Sequence, residues 1–511
     1  MNMETISTRE LNVDQLIAIT GGFASIQIVL VFYNCMFEAY CGMQSAAPIY
    51  TGMTTSFECS LPNFTSNVCN SSCPSYVYPN NDGTIIAEFD LACGLRSWLN
   101  SIFDSSYWVG YLLGGVVSGF LFDFIGRKRF IIFLTAGQVI SAFLMVLFRN
   151  IYILIFLRAC FGFFISGASL GTHIIVLEYV PSNYIALASQ FSQLCFPLGE
   201  MSSMMLGYIF KRDWRMYYLA LALPTPFFLI GSILQYVESC RWLLAVGKHK
   251  QAEKVARHIA NANGYPEISR KISLVDTKEV SLNADLQYTW KNLFWPLPVL
   301  RLSLASFLVW FSTSSVYYGL TYGVADLSGN VYINSFLLAL AEFPAFFVYI
   351  FGNRFGRRYT TTGLLFMTGG SVIIMPFVRH VAGGSIMTII SLIGKMGSTA
   401  IFEVFFFYQI ELFPSSLRGL GFGICSMFAR IASIISPPFQ KLGSISLYIP
   451  YFLFATPCLI AGVIALLFLP ETKGKTLPDR FEDVFEKEGL GYQRNRYIPE
   501  LSVLQESSKT Y

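Results

Sequence analysis

The sequence predicts an all-α integral membrane protein of twelve transmembrane helices, and three observations predict it. The 511 residues are 54% hydrophobic and only 13% charged, with 47 Phe and 28 Tyr. Apolar windows of helical length recur, among them VGYLLGGVVSGFLF, FIIFLTAGQVISAFLMVLF, YYLALALPTPFFLIGSIL and YFLFATPCLIAGVIALLFL. A polar segment divides these windows six and six. Crossing a bilayer takes about 20 mostly apolar residues, and a helix satisfies its own backbone polar groups over that length. The composition excludes a disordered chain. Too few charges separate too many long windows for a soluble enzyme with buried helices. The formal net charge of +4 matters less than where the charges fall.

In chain order the candidate spans cover about 19–40, 105–123, 130–148, 151–176, 185–209, 215–236, 297–320, 331–351, 359–378, 384–410, 419–440 and 447–469. The organisation follows: an N-terminus (1–18), a first six-helix bundle (19–240) with an outer loop at about 41–104, a central loop (241–296), a second bundle (297–470) and a tail (471–511). The central loop carries Lys248, Lys250, Lys254, Arg257, Arg270, Lys271, Lys278 and Lys291. Further basic clusters are Arg127-Lys128-Arg129 after the second span and Arg354, Arg357 and Arg358 after the eighth. Basic loops favour the cytoplasmic side, and an even number of spans brings both termini there. Lys211, Arg212 and Arg215 fall on the opposite side, so the bias is a tendency. The mixed polar start MNMETISTRELNVDQL makes the first apolar stretch a retained span, not a cleaved signal.

The long loop after the first span holds Cys59, Cys69, Cys73 and Cys93, and the sequons NFT at Asn63 and NSS at Asn70. The charge bias places it outside, where disulfides and glycans both form. Four cysteines allow three complete pairings, and the sequence does not choose among them. Neither their spacing nor their compartment suits a metal site.

Between the second and third spans the chain reads GFLFDFIGRKR, Gly119–Arg129. Its glycines permit a tight turn, and Asp123 can accept hydrogen bonds from helix ends or arginines. The pattern partly returns after the eighth span as GNRFGRR, Gly352–Arg358. Recurrence six spans later reads as two related halves, the plan of many carriers; the plainer reading is two basic turns.

These residues resemble the major facilitator superfamily, whose loop motif is GxxxDxxGRR/K, and more narrowly its organic cation, organic anion and carnitine transporter family. The supporting segments are EFDLAC (Glu88–Cys93), ESCRWLLAVGK (Glu238–Lys248), VYYGL (Val316–Leu320), ELFPSSLRGLG (Glu411–Gly421) and PETKGKTLPD (Pro470–Asp479). The resemblance implies the major facilitator fold, two six-helix bundles around a central cavity opened alternately to each side. It also implies gating or structural roles at the inner ends for Asp123, Gly126, Arg127, Arg129, Glu178, Arg357, Arg358, Glu411 and Arg418. Three departures stand out: Val237 and Cys240 where the family has prolines, EYVPSNY without an arginine, and Asn353 and Phe355 in the second loop motif.

An ionisable group deep in a bilayer is costly and normally faces a cavity or a partner. Arg430 sits in CSMFARIASIISPPF, about eleven residues into the eleventh span and so roughly 16 Å deep. Two roles are open to it, substrate recognition and a structural salt bridge. Cation-preferring members of the resembled family commonly carry aspartate at this position, whereas anion and carnitine members carry arginine. A guanidinium holds a carboxylate in a bidentate pair and repels a simple cation. Glu403, in the tenth span, is a counter-charge to Arg430, a proton-coupling group or a contact for an ammonium head. Anion-preferring members often carry a lysine near the position of Phe346, which this chain lacks. Tyr317 and Tyr318 can stack on flat groups or attract an ammonium, or simply pack. Asn34 is a polar pocket candidate in the first span. Arg158 and His173 in the fourth have structural or gating and proton-exchange readings.

No GxxxxGK[ST], HExxH or GxSxG motif occurs, and no Cys/His cluster has catalytic spacing. The sequence therefore points to no enzyme, no cofactor, no metal and no nucleic acid. The expected partners are a small organic ion, a coupling ion or exchanged solute, and the lipid of a plasma membrane. The reading is an alternating-access carrier for organic anions or carnitine-like zwitterions. An organic cation transporter is its alternative, and a sugar or other porter stands further off.

Overall fold

In the computed structural model the structure describes residues 22–475, apart from 54–55, 61–68, 70–72, 74–75, 79–82, 212, 268–292, 295–296, 382–383 and 414. Asn63 and Asn70, both termini and much of the central loop lie outside the described residues.

Twelve helical spans follow one another. The first five are Ser25–Thr51, Trp98–Ile125, Arg127–Leu147, Ile151–Tyr179 and Ser182–Ile209. The sixth is made of Trp214–Ala222 and Thr225–Leu234, interrupted where Pro224 removes a backbone donor. The seventh is Leu297–Tyr322. The eighth runs through Val331–Leu340, a tighter turn at Phe343–Phe347 containing Pro344, and Val348–Phe355. The last four are Arg357–Val381, Gly384–Leu412, Ser415–Lys441 and Tyr448–Phe468. Eleven spans are long and apolar enough to cross a membrane among the described residues. The fifth, Ser182–Ile209, is 28 residues long and more polar. Large apolar side chains such as Phe120, Phe124 and Leu234 are exposed along these helices, as lipid-facing positions require.

Two short strands, Glu58–Cys59 and Tyr76–Val77, pair antiparallel in the loop after the first span. The loop carries the disulfides Cys59–Cys73 and Cys69–Cys93, which selects one of the three pairings. Its base is fixed by Glu88, which accepts a hydrogen bond from Trp214 Nε1 at 2.7 Å and forms an ion pair with Arg215. Arg215 also donates to the carbonyls of Val146 and Phe148 at 2.8 and 3.1 Å. That accounts for this cation on the side opposite the basic clusters.

The chain divides into two compact units. The first comprises the described residues up to 267 together with Thr321–Phe343 and Ser433–Leu442. The second comprises 293–320, Pro344–Ala432 and 443–475. In the first unit the second and fourth spans touch backbone to backbone. A Cβ on Gly110 would collide with the carbonyl of Ala159, and one on Gly162 with the carbonyl of Tyr107. Close approach of this kind is how membrane helices associate where no hydrophobic driving force separates them from lipid. Within the central loop, in the first unit, His249–Ala262 forms a short helix with Ala252, Ala256, Ile259 and Ala260 buried on one face.

Candidate functional site

Four of the five substrate-site candidates, Arg430, Glu403, Tyr317 and Tyr318, lie in the second unit, and Asn34 lies in the first. Arg430 is the thirteenth of 27 residues in the candidate span Arg418–Ser444, near its middle, and is half-buried. One residue earlier, the carbonyl of Ala429 accepts a hydrogen bond of 2.7 Å from Ser314 Oγ. Ser314 thereby fixes the seventh span against the eleventh beside Arg430. Tyr317 and Tyr318 follow Ser314 by three and four residues and so share its face of the helix. Both tyrosines are buried, edge-on to each other at 5.0 Å.

The sequence reading picks Glu403 from the tenth span and passes over Lys395, eight residues earlier. Lys395 is fully buried, and its Nζ lies 3.3 Å from the centre of the Tyr317 ring. Phe402, seven residues on and on the same helical face, meets Tyr317 edge-on at 5.7 Å. Tyr317 is thus a cation's aromatic partner rather than plain packing. The signal that marks Arg430, an ionisable group in an apolar run, was equally present in GKMGSTAIFE. Glu403 is half-buried and takes part in no ion pair among the described residues. Further inward, Trp310 Nε1 donates to Gln409 at 2.6 Å, and Gln409 donates to the carbonyl of Gly421 at 3.2 Å. These bonds tie the seventh, tenth and eleventh spans together. In the first unit, Asn34 is fully buried and donates to Ser192 Oγ at 2.8 Å, which joins the first and fifth spans.

The two inner loop motifs build matching clamps. In the first, Gly126 has φ 100°, the left-handed region open to glycine. Arg127 Nε reaches Glu178 at 3.2 Å and its Nη2 reaches Asp123 at 3.1 Å. Its Nη1 donates to the carbonyl of Phe122 at 3.1 Å. Glu238 accepts from the backbone N–H of Arg127 and Lys128 at 2.7 and 3.2 Å, placing a carboxylate on a helix N-terminus. Trp242 Nε1 closes the corner on the carbonyl of Asp123 at 2.9 Å.

In the second unit Gly356 has φ 98°. Arg357 Nε reaches Glu411 at 3.2 Å, and its Nη1 donates to the carbonyl of Gly352 at 3.1 Å. Glu471 accepts from the backbone N–H of Arg357 and Arg358 at 2.9 and 3.2 Å. Glu411 also accepts from Thr472 Oγ1 at 2.5 Å. Arg358 donates to the carbonyl of Leu466, Arg129 is exposed, and Arg418 is half-buried. Glu238 and Glu471 are the participants that the sequence reading quotes within segments without assigning them a role. Tyr179 and Tyr408 repeat the match, donating at 2.6 Å to the carbonyls of Glu238 and Pro470.

Two halves with one local geometry, each ending in the same glycine–arginine–glutamate clamp, fit the comparisons with known proteins. The sugar (and other) transporter family model matches residues 22–483. Organic anion transporter 3 of Oryctolagus cuniculus is 33% identical over 435 residues, 83% of this chain and 78% of that protein. The chain belongs to the organic cation, organic anion and carnitine transporter family of the major facilitator superfamily. Organic cation/carnitine transporter 2 of Mus musculus is 32% identical over 421 residues, 80% of this chain and 72% of that protein. Among solved structures, the inward open conformation of the xylose transporter XylE from E. coli aligns with a TM-score of 0.65 at 17% identity. It covers 90% of this chain and 98% of that one. The family member described here is therefore a membrane carrier of the major facilitator fold and not an enzyme.

Proposed function

We propose that this family member carries small organic anions or carnitine-like zwitterions by alternating access, with Arg430 as the group that holds the substrate carboxylate. The observation that carries the reading is the charge balance inside the second unit's membrane helices. Away from the inner-end clamp of Arg357 and Glu411, Arg430 and Lys395 lie within them beside the carboxyl of Glu403. Two fixed cations favour a carboxylate and disfavour a simple cation. Lys395 supplies, from the tenth span, a second positive charge although no lysine stands near Phe346. Relatives named for organic anions and for carnitine support the same substrate class. Glu403 is the natural contact for the ammonium end of a zwitterion. On this reading residues 19–240 and 297–470 are the two bundles, the basic loops and termini are cytoplasmic, Asn63 and Asn70 carry glycans, and the plasma membrane is the site of action.

Uptake of labelled succinate, L-carnitine and tetraethylammonium is compared in wild type, Arg430→Ala and Arg430→Asp at matched surface expression. Wild type takes up succinate or carnitine, and both variants lose that uptake. Unchanged anion and carnitine uptake in both variants sinks the role of Arg430, and a strong wild-type preference for tetraethylammonium sinks the substrate class.

A further inference from the structure

The short helix His249–Ala262 is pinned to the membrane helices at both ends. Just before it, Trp242 packs with Leu243 and Ala252, and its Nε1 holds the carbonyl of Asp123, in the last turn of the second span, at 2.9 Å. Cys240 Sγ adds a contact of 3.8 Å to the carbonyl of Ala252. Just after the helix, Asn263 Oδ1 accepts from the backbone N–H of Ile26 at 3.1 Å, and Asn263 Nδ2 donates to Gln27 Oε1 at 3.2 Å. Asn263 thereby serves the first turn of the first span, where N–H groups have no helical partner of their own. The helix has 14 residues and is about 21 Å long, and it runs between the feet of the second and first spans. Both anchors lie within one turn of lipid-facing side chains: Phe124 and Ile125 follow Asp123, Ile28 follows Ile26, and all three are exposed. That places the helix at the depth of the lipid headgroups.

Its two faces are sorted. Ala252, Ala256, Ile259 and Ala260 are buried against the protein. Lys250 and Lys254 stand one turn apart on the opposite face, and Arg257 and His258 continue their stripe, all four exposed. Arg257 pairs with Glu253, whereas no carboxylate among the described residues pairs with Lys250 or Lys254. Val246 and Tyr265 are exposed just before and just after the helix, and a tyrosine suits the boundary between water and lipid. A basic stripe at headgroup depth, flanked by exposed apolar groups, is complementary to an anionic bilayer surface and indifferent to a neutral one.

We propose that this face is a docking site for the anionic phospholipid headgroups of the adjoining leaflet. Lys250 and Lys254 hold the headgroup phosphate and carboxylate, and Arg257 extends the positive surface along the helix. A lipid seated there ties the central loop to the bilayer beside the point where Asn263 caps the first span. The inference needs the membrane fold alone and stands whatever solute the carrier moves.

Fluorescently labelled dioleoylphosphatidylserine or dioleoylphosphatidylcholine is titrated into the full chain in neutral detergent, at about 50 and about 300 mM salt. Phosphatidylserine should bind about tenfold tighter or more at the lower salt, and screening should shrink that preference at the higher. A lysine at a charged bilayer surface is worth about fivefold in binding, so Lys250→Gln/Lys254→Gln should weaken phosphatidylserine by about tenfold or more. Phosphatidylcholine should stay within about twofold in that variant. Lys250→Arg/Lys254→Arg, which keeps both charges, should keep the preference. Lys211→Gln/Lys475→Gln, which removes the same charge at two exposed sites elsewhere, should keep it too. Equal binding of the two lipids overturns the proposal. A preference that survives the glutamine pair moves the lipid to another basic cluster and overturns the assignment, and an equal loss in Lys211→Gln/Lys475→Gln reduces it to net charge. Full competition by soluble O-phospho-L-serine makes this a solute site and overturns the membrane as its occupant.

Discussion

The ammonium of Lys395 lies 3.3 Å from the centre of the Tyr317 ring, inside a membrane helix and fully buried. A desolvated cation–π contact is worth about 2 kcal/mol. Tyr317→Leu should therefore lower succinate kcat/KM by roughly tenfold to thirtyfold, whereas Tyr317→Phe, which keeps the ring, should stay within about threefold. Lys395→Met should lose most anion uptake. Uptake kinetics normalised to surface protein check all three; equal losses in the Phe and Leu variants would rule out the ring's role.

The clamps predict an asymmetry between carboxylates. Asp123 is 71% exposed, whereas Glu178 is 15% exposed, and the second loop motif has Asn353 at the position where the first has Asp123. Asp123→Asn should cost under about 0.5 kcal/mol, as exposed ion pairs do. Glu178→Gln and Glu411→Gln should each cost about 1–3 kcal/mol. Thermal unfolding in detergent ranks them, and an Arg357→Ala/Glu411→Ala cycle should give a coupling of at least about 0.5 kcal/mol.

Pairing in the outer loop is open to a genetic test. The bridges close loops with sequence separations of 14 and 24 residues, each worth about 3 kcal/mol in the chain-entropy account. Cys59→Ser/Cys73→Ser should be no less stable than either single variant. Cys59→Ser/Cys69→Ser should be distinctly worse, because it opens both bridges. Peptide mapping without reductant provides the direct check.

Glycines that look alike in the sequence should behave differently. Gly110→Leu drives a side chain into the Ala159 carbonyl, whereas nothing lies within 4 Å of a Cβ at Gly119. The first should cost about 3 kcal/mol or more, with loss of monodisperse protein in size-exclusion chromatography. Gly119→Ala should elute and unfold like wild type.

Much of this was legible before any coordinates. The apolar windows locate the helices because a bilayer imposes length and self-satisfied hydrogen bonding on each one. Arg430, Arg127 and Arg357 stand out because their charge contradicts their surroundings or recurs in a motif. The breaks at Pro224 and Pro344 were hidden inside windows that hydropathy reads as continuous. Lys395 escaped because it sits among glycines beside the more conspicuous Glu403, and its meaning depends on a tyrosine 78 positions earlier in the chain. The cysteine pairing could not be read at all, since three connectivities satisfy one composition.

Every partner described for Arg127 belongs to the first unit, and every partner described for Arg357 belongs to the second. The clamps are brackets rather than latches. Each welds the feet of its own helices, so these bonds need not break and re-form in every transport cycle. Damage to one should show as a loosened, poorly assembled half before it shows as a change in the turnover of a carrier that has assembled.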